Sequence, residues 1–236
     1  MSNKSLCKPI TLAFDVYGTL IDTHGVVVAL EKHVGVKAFE FSRTWREKQL
    51  EYSFRRGLMQ NYENFARCTS DALEYTSSYF KVTLSEKDKQ ELLDAYEVLP
   101  AFDDVKEGLE QAKKYGFRMF AFSNGSGEAV EKLLKHAGIK DYFLGVVSVD
   151  EIKSFKPNPG VYCHFLRRAG TTGAEAWLIS SNPFDVIGAL SAGMRAAWLK
   201  RSSEALFDPW GIEPTLTVNS LLDLAKQIDE IGREKH

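Results

Sequence analysis

The feature that most constrains this chain is a series of short apolar runs alternating with helix-like stretches that stop at glycine. The first run, Ile10-Thr11-Leu12-Ala13-Phe14, is closed by Asp15 and the turn residue Gly18. Further runs lie at 117–122, 144–149, 177–179 and 195–199. Continuous apolar runs of this length read as strands buried on both faces, as in a parallel sheet. Between and beside them, residues 103–115, 128–137, 160–169 and 185–192 carry apolar side chains at helical spacing. They end at Gly116, Gly138, Gly170 and Gly193, where helix C-terminal caps belong. The alternation predicts an α/β fold, a doubly wound (Rossmann-like) parallel sheet.

Residues from about Thr23 to Leu99 break that alternation and read as helices alone. Residues 43–55 carry Trp45, Gln49, Leu50 and Phe54, and residues 63–80 carry Phe65, Ala72, Leu73 and Phe80. A third helix opens at Ser85, with Asp88 three residues on as a weak capping box. The expectation is an inserted all-helical cap at 23–98 over a core made of 1–22 and 99–236. The polar tail, 226–236, is expected to fray.

Composition narrows the function. The 30 Lys and Arg against 32 Asp and Glu give a net charge of −2, so no global basic field attracts a nucleic-acid backbone or an anionic membrane. No apolar run approaches the ~18 residues that span a bilayer. The start reaches Asp15 before a signal-peptide core forms. Three cysteines, Cys7, Cys68 and Cys163, form no CxxC, which predicts a reduced, cytoplasmic protein. Cys68 and Cys163 are expected as small buried apolar groups. Trp45, Trp177, Trp198 and Trp210 are expected in the core or at an interface. The five histidines, His24, His33, His136, His164 and His236, lack the paired spacing of a zinc site.

In an open parallel sheet, ligands bind at the carboxyl ends of the strands. The first strand ends in Asp15-Val16-Tyr17-Gly18-Thr19 and the second in Ser123-Asn124-Gly125-Ser126. A loop with Lys153 and Lys156-Pro157 follows the third, and Ser180-Ser181-Asn182-Pro183-Phe184-Asp185 follows the fourth. Two carboxylates, lysine, hydroxyls and amides thus meet at one edge, an active-site candidate on physical grounds. Asp15 alone also fits a turn or a helix N-cap, as does Asp185. Arg46 alone fits a solvated helix face, and Ser123-Asn124-Gly125 an ordinary turn. Convergence favours the functional reading: Asp15 as a nucleophile that forms an ester, its charge balanced by Lys156.

These motifs resemble the haloacid dehalogenase superfamily, most of whose members are phosphatases. The phosphatases carry a second Asp two residues after the nucleophile, where this chain has Tyr17. They also use an acidic pair in the last motif to hold magnesium, where this chain has Ser181 and retains only Asp185. F-D-V-Y-G-T-L, W-R-E-K-Q-L-E-Y, F-S-N-G-S, F-K-P and S-S-N-P-F-D resemble the L-2-haloacid dehalogenase branch, from Ile10 to about Leu222. The W-R-x-K-Q-L-E-Y stretch is the most specific of these.

The resemblance implies hydrolytic dehalogenation of short L-2-haloalkanoic acids to D-2-hydroxy acids, with no metal, no cofactor and no partner beyond the small haloacid and a second copy of the chain. Asp15 is then the nucleophile, oriented by Thr19, Ser180 and Lys156. Ser123 holds the substrate carboxylate. Arg46 and Asn124 receive the halide. Tyr162 and Asn182 support Lys156 and the site, and Asp185 helps activate water. Val16, Tyr17, Leu50, Phe65 and Phe184 contact the substrate. Tyr52 and Phe54 are placed at a dimer surface. Glu47, where the branch commonly has Gln, is expected to set a carboxylate beside the halide site. Phe155, Pro183 and Phe184 replace the common Tyr, Ala and Trp. A phosphatase acting on a small phosphate ester and a non-catalytic relative are the competing readings.

Overall fold

The structure, a computed structural model, describes residues 9–233. Cys7, His236 and the first eight residues of the stretch read for a signal sequence lie outside the described residues.

The apolar runs form strands close to where their pattern places them. β1 (Thr11–Phe14), β2 (Arg118–Ser123), β3 (Gly145–Ser148), β4 (Ala176–Ser180) and β5 (Arg195–Leu199) are joined by β6 (Leu216–Val218). All pair in parallel, in the order β3-β2-β1-β4-β5-β6. Both β1 and β4 are buried throughout, as central strands with helices on both faces must be. Winding runs outward from β1 to β3 on one side and from β4 to β6 on the other. The switch point therefore lies between β1 and β4, directly beyond Phe14 and Ser180.

Five α-helices stand between β1 and β2, and the first four, α1 (Val27–Val34), α2 (Ala38–Leu58), α3 (Phe65–Phe80) and α4 (Glu86–Tyr96), make up an insertion. Asn64 caps α3, its side chain accepting from the Arg67 amide. Ser85 and Asp88 make the full reciprocal capping box on α4. Long α2 and α3 lie against each other around Trp45, which is fully buried and donates its indole N–H to Thr69 O at 2.8 Å. The two ends of this insertion meet. Ile21 bridges Ala101, and the Asp22 amide donates to Pro100 O at 2.8 Å.

The remaining helices are α5 (Val105–Lys114), α6 (Gly127–His136), α7 (Pro159–Ala169), α8 (Pro183–Ser191) and α9 (Leu224–Arg233). The tail departs from its expectation. It does not fray through Arg233 but forms α9, which buries Leu224, Ala225 and Ile228 and packs against α5. Apolar residues at 221, 224, 225, 228 and 231 give one face of a helix, a pattern masked by the surrounding charges. Cys68 is buried as expected, but Cys163 is exposed on the outer face of α7. Trp45, Trp177 and Trp198 are core residues, whereas Trp210 is 70% exposed. No helix among the described residues is long and apolar enough to cross a membrane.

Candidate active site

Four strand ends converge on Asp15. Its amide still belongs to the sheet, donating to Ile179 O at 2.9 Å, so the side chain is set by the ladder itself. The chain then turns at Gly18, whose φ of +85° lies where a side chain is disfavoured. That turn returns Thr19 to the carboxylate it follows by four residues. Thr19 Oγ1 donates to Asp15 Oδ2 at 2.7 Å. Asn182 Nδ2 donates to the same oxygen at 2.8 Å, and Ser180 Oγ at 3.3 Å. Three donors thus occupy Oδ2. Oδ1 receives Lys156 Nζ at 3.1 Å.

Lys156 is 1% exposed, Asp15 7% and Asp185 0%, so this is a buried charge cluster. The ammonium spends one N–H on each of three acceptors: Asp15 Oδ1, Asp185 Oδ2 at 2.8 Å and Phe122 O at 2.9 Å. It also stands 4.2 Å from the centre of the Phe122 ring. Burial pulls the lysine pKa down, but the two carboxylates outweigh it and the net shift is upward. Burial pushes the Asp185 carboxyl up to about 6, against the pull of Lys156. Tyr162 Oη donates to Asp185 Oδ1 at 2.8 Å and fills its second oxygen. Asn182, expected to support Lys156 and the site, reaches Asp15 rather than the lysine.

The second strand end supplies Ser123 and Asn124, both buried. Ser123 Oγ accepts the Gly125 amide at 3.1 Å, and Asn124 Oδ1 accepts the Lys156 amide at 3.0 Å. The latter bond ties the lysine loop to this strand end. Ser126 caps α6, whose first turn therefore points its amides at this edge.

From α2, Arg46 reaches down to the sheet, its Nη2 donating to Tyr17 O at 3.2 Å. The Tyr17 ring lies 5.8 Å from that of Phe65, and burial pushes its phenol up to about 12, so it stays protonated. Tyr17 and Phe65 line a cavity of about 230 Å³ between the insertion and the sheet edge. Lys156 and Phe184 line a second cavity, of about 430 Å³, on which Phe54, Phe155 and Trp210 also border. Phe184 stands edge-on to Phe54, ring centres 4.9 Å apart, so Phe54 is engaged within the chain. Tyr52 packs in the same manner on Tyr75. Leu50 is half-buried on α2.

Two expectations are corrected. Val16 buries its side chain fully in the core and uses its carbonyl to accept the amides of Thr19, Leu20 and Ile21. Any part it takes at the site is through its backbone. Glu47 does not crowd Arg46. It is exposed and lies 3.9 Å from Arg43, one turn back on the solvent face of α2. Helical spacing accounts for this, because adjacent residues on a helix point about 100° apart.

Other residues escaped the reading of the sequence. Arg201 donates Nη2 and Nε to Thr19 O at 2.6 and 3.2 Å, and Nη1 to Asp104 Oδ1 at 2.6 Å. Asp104 is itself held by Ser220 Oγ and the Leu221 amide. Gln49 accepts Arg46 Nη1 at 2.6 Å. Gln49 lies within the W-R-x-K-Q-L-E-Y stretch and Arg201 two residues past β5, but neither position shows in the sequence which group the side chain meets.

A divalent ion does not fit this set. Tyr17 and Ser181 offer no anionic oxygen, and Lys156 fills the space between the two carboxylates. Among the described residues, His33, Asp88 and Glu91 are grouped closely enough to share an ion, and they lie on α1 and α4, outside this cluster.

With a carboxylate at the end of its first strand, a lysine loop and an acidic last loop on this sheet order, the chain matches the family model of the haloacid dehalogenase-like hydrolases over residues 11–193. The chain is 35% identical over 210 residues to an (S)-2-haloacid dehalogenase of Pseudomonas sp. strain YL, covering 89% of this chain and 90% of that one. It is 37% identical over 207 residues to haloacetate dehalogenase H-2 of Moraxella sp. strain B, covering 88% and 92%. The structure of L-2-haloacid dehalogenase from Xanthobacter autotrophicus superposes with a TM-score of 0.89 at 30% identity, over 94% of this chain and 99% of that one. The same enzyme with chloropropionic acid covalently bound superposes at 0.88. The chain belongs to the L-2-haloacid dehalogenases within the haloacid dehalogenase-like hydrolases.

Proposed function

We propose that this protein hydrolyses short L-2-haloalkanoic acids to D-2-hydroxy acids and halide, through an ester on Asp15 and without a metal. The observation that carries the reading is the asymmetric dress of the Asp15 carboxylate. Oδ2 is held by three donors, while Oδ1 has Lys156 alone and keeps a lone pair for attack.

In the first step Oδ1 displaces the halogen from C2 of the substrate, from the side opposite the carbon–halogen bond. The carbon–oxygen bond forms, the halide leaves with its electron pair, and the configuration inverts. Two anions, Asp15 and the substrate carboxylate, must approach each other. Lys156 offsets that repulsion, and exclusion of water strengthens its effect. Ser123 and the amides at the start of α6 hold the substrate carboxylate. Arg46 and Asn124 Nδ2 receive the halide, which needs no proton. Tyr17, Leu50, Phe65 and Phe184 wall the alkyl group. In the second step water attacks the ester carbonyl of Asp15 and gives a proton to Asp185, which Tyr162 orients. The carbon–oxygen bond of the ester breaks, and the departing oxygen takes the second proton of that water. The hydroxy acid leaves, Asp15 keeps an oxygen from water, and Asp185 releases its proton to solvent.

In the same reading, residues 23–98 act as a cap that closes over a core of 1–22 and 99–236, bringing Arg46 to the site. The protein works in a reducing cytoplasm as a homodimer. Exposed Leu58, Met59 and Tyr79 on or beside α2 and α3 support an apolar contact there. The phosphatase reading lacks both its acid at Tyr17 and its ligand at Ser181.

The test is chloride release from L-2-chloropropionate in EDTA, with the chirality of the lactate product. D-lactate is expected. Release that requires magnesium, or none at all, overturns the proposal.

A further inference from the structure

We infer that Gln49 is a positioning residue for Arg46: an uncharged acceptor that aims the guanidinium at the leaving halide without neutralising it. The inference rests on the role proposed above for Arg46.

Arg46 and Gln49 are three residues apart on α2 and share a face. Gln49 is 1% exposed, although glutamine is seldom fully buried. Its Oε1 accepts Arg46 Nη1 at 2.6 Å, while Arg46 Nη2 donates to Tyr17 O. The amide at the other end, Nε2, donates to Thr69 Oγ1 at 2.5 Å. Thr69 sits on α3, and its own hydroxyl proton goes to Phe65 O at 2.9 Å. That bond makes Thr69 Oγ1 an acceptor toward Gln49, and so decides which way the amide points. Turned over, the amide would set N–H groups against the guanidinium. A hydroxyl-to-carbonyl bond on α3 thereby fixes a carbonyl oxygen against the arginine on α2.

The acceptor's lack of charge is the second half of the inference. Both nearby carboxylates of α2 face away: Glu47 toward Arg43, and Glu51 toward Lys48 and Arg55. Only the neutral amide meets Arg46 from this helix. A carboxylate at position 49 would pair with the guanidinium in a water-poor setting, where such attraction is strong. The full positive charge would then no longer be presented to a departing anion.

The experiment compares Gln49→Met, Thr69→Val and Gln49→Glu with the wild type in the full chain. Turnover of L-2-chloropropionate and L-2-bromopropionate is measured alongside chloride binding, followed by chloride NMR line broadening. Gln49→Met and Thr69→Val should lower kcat about 10- to 100-fold, the scale of a misplaced catalytic group, with little change in KM. The loss should be larger for the chloride, the poorer leaving group. Gln49→Glu should lose more turnover and should lose the line broadening as well. A purely structural role would reduce both substrates equally. Equal losses, or Gln49→Met within about twofold of wild type, overturn the inference. If Gln49→Glu does not fold, the two other variants decide the matter through the same halide comparison. Wild-type turnover with chloride binding unmoved by any variant sinks the role of Gln49 alone. A wild type that releases no halide, but whose chloride binding the variants weaken, sinks the dehalogenase reading and leaves Gln49 in place.

Discussion

Lys156 Nζ stands 3.1 Å from Asp15 Oδ1, and both side chains are almost entirely withdrawn from water. The lysine is also the sole cation within ion-pairing distance of Asp185 among the described residues. Lys156→Met therefore leaves two buried carboxylates facing each other. One of them must take up a proton or the fold must loosen. We expect a destabilisation of about 3–5 kcal/mol in urea unfolding, the usual result of orphaning a buried charge. Chloride release should fall by about 10³-fold or more. A variant of near wild-type stability would show that the cluster is wetter than its burial implies.

As the base proposed for the second step, Asp185 should set an acidic limit on the reaction. Its carboxyl is raised to about 6 by burial, and it must be ionised to take a proton from water. Activity should fall about tenfold per pH unit below that point. A profile flat to well below pH 5 would remove Asp185 from the hydrolytic step. The same proton acts on stability in the opposite sense. The folded state holds this proton more tightly than the unfolded chain does, so the contribution favours folding at low pH. It is lost as pH rises from the ordinary value of 3.8 through about 6. The pH slope of unfolding in Asp185→Asn, set against wild type, isolates it.

Gly188, on α8, permits the close approach of Tyr162. A Cβ there would lie 2.3 Å from Tyr162 Oη and 2.8 Å from Pro157 Cβ. Gly188→Ala must therefore push the phenol away from Asp185, or push the lysine loop. Its expected effect is a loss of kcat greater than the loss of stability, read from turnover and a thermal melt of the same sample. A fully active Gly188→Ala would mean that Tyr162 does not orient Asp185.

Arg201 clamps the turn that carries Thr19. Two of its nitrogens meet Thr19 O and a third meets Asp104, which in turn holds Ser220 and Leu221. Arg201→Met removes this tie and leaves the partly buried Asp104 without its cation. A loss of about 2–4 kcal/mol is expected, in the range for breaking a partly buried charged hydrogen bond network. Asp104→Asn should do less, because the amide still accepts from Arg201. Chemical denaturation of the pair tests the order.

Much of this was legible in the residues because the relevant signals are local. Five of the six strands follow from short apolar runs, and Asp15, Asn124, Lys156 and Asp185 follow from their place at strand ends. β6 escaped because Leu216-Thr217-Val218 is too short to show a period. α9 escaped because Lys226, Gln227, Asp229 and Glu230 dominate the stretch, although Leu224, Ala225 and Ile228 mark one face. The partners of the site residues were harder still. Arg201 meets Thr19 across 182 positions, and Gln49 meets Thr69 only because α2 and α3 pack. Glu47 looked troublesome as the neighbour of Arg46 in sequence. The turn of the helix separates what the chain order joins.

The chain leaves the sheet at Asp22 and returns at Pro100, and these two points are hydrogen-bonded to each other. An excursion that begins and ends at one doorway leaves the pairing of β1 with β2 undisturbed, although its inner face, through Phe41, Trp45 and Tyr96, shares one apolar cluster with Leu12 and Phe14. Its outward residues are more open to exchange than those that face the sheet. The roof and the floor of this chamber are therefore free to evolve at different speeds. A change of diet, from one small acid to another, calls on both, because Phe65 hangs from the roof while Tyr17 and Phe184 rise from the floor.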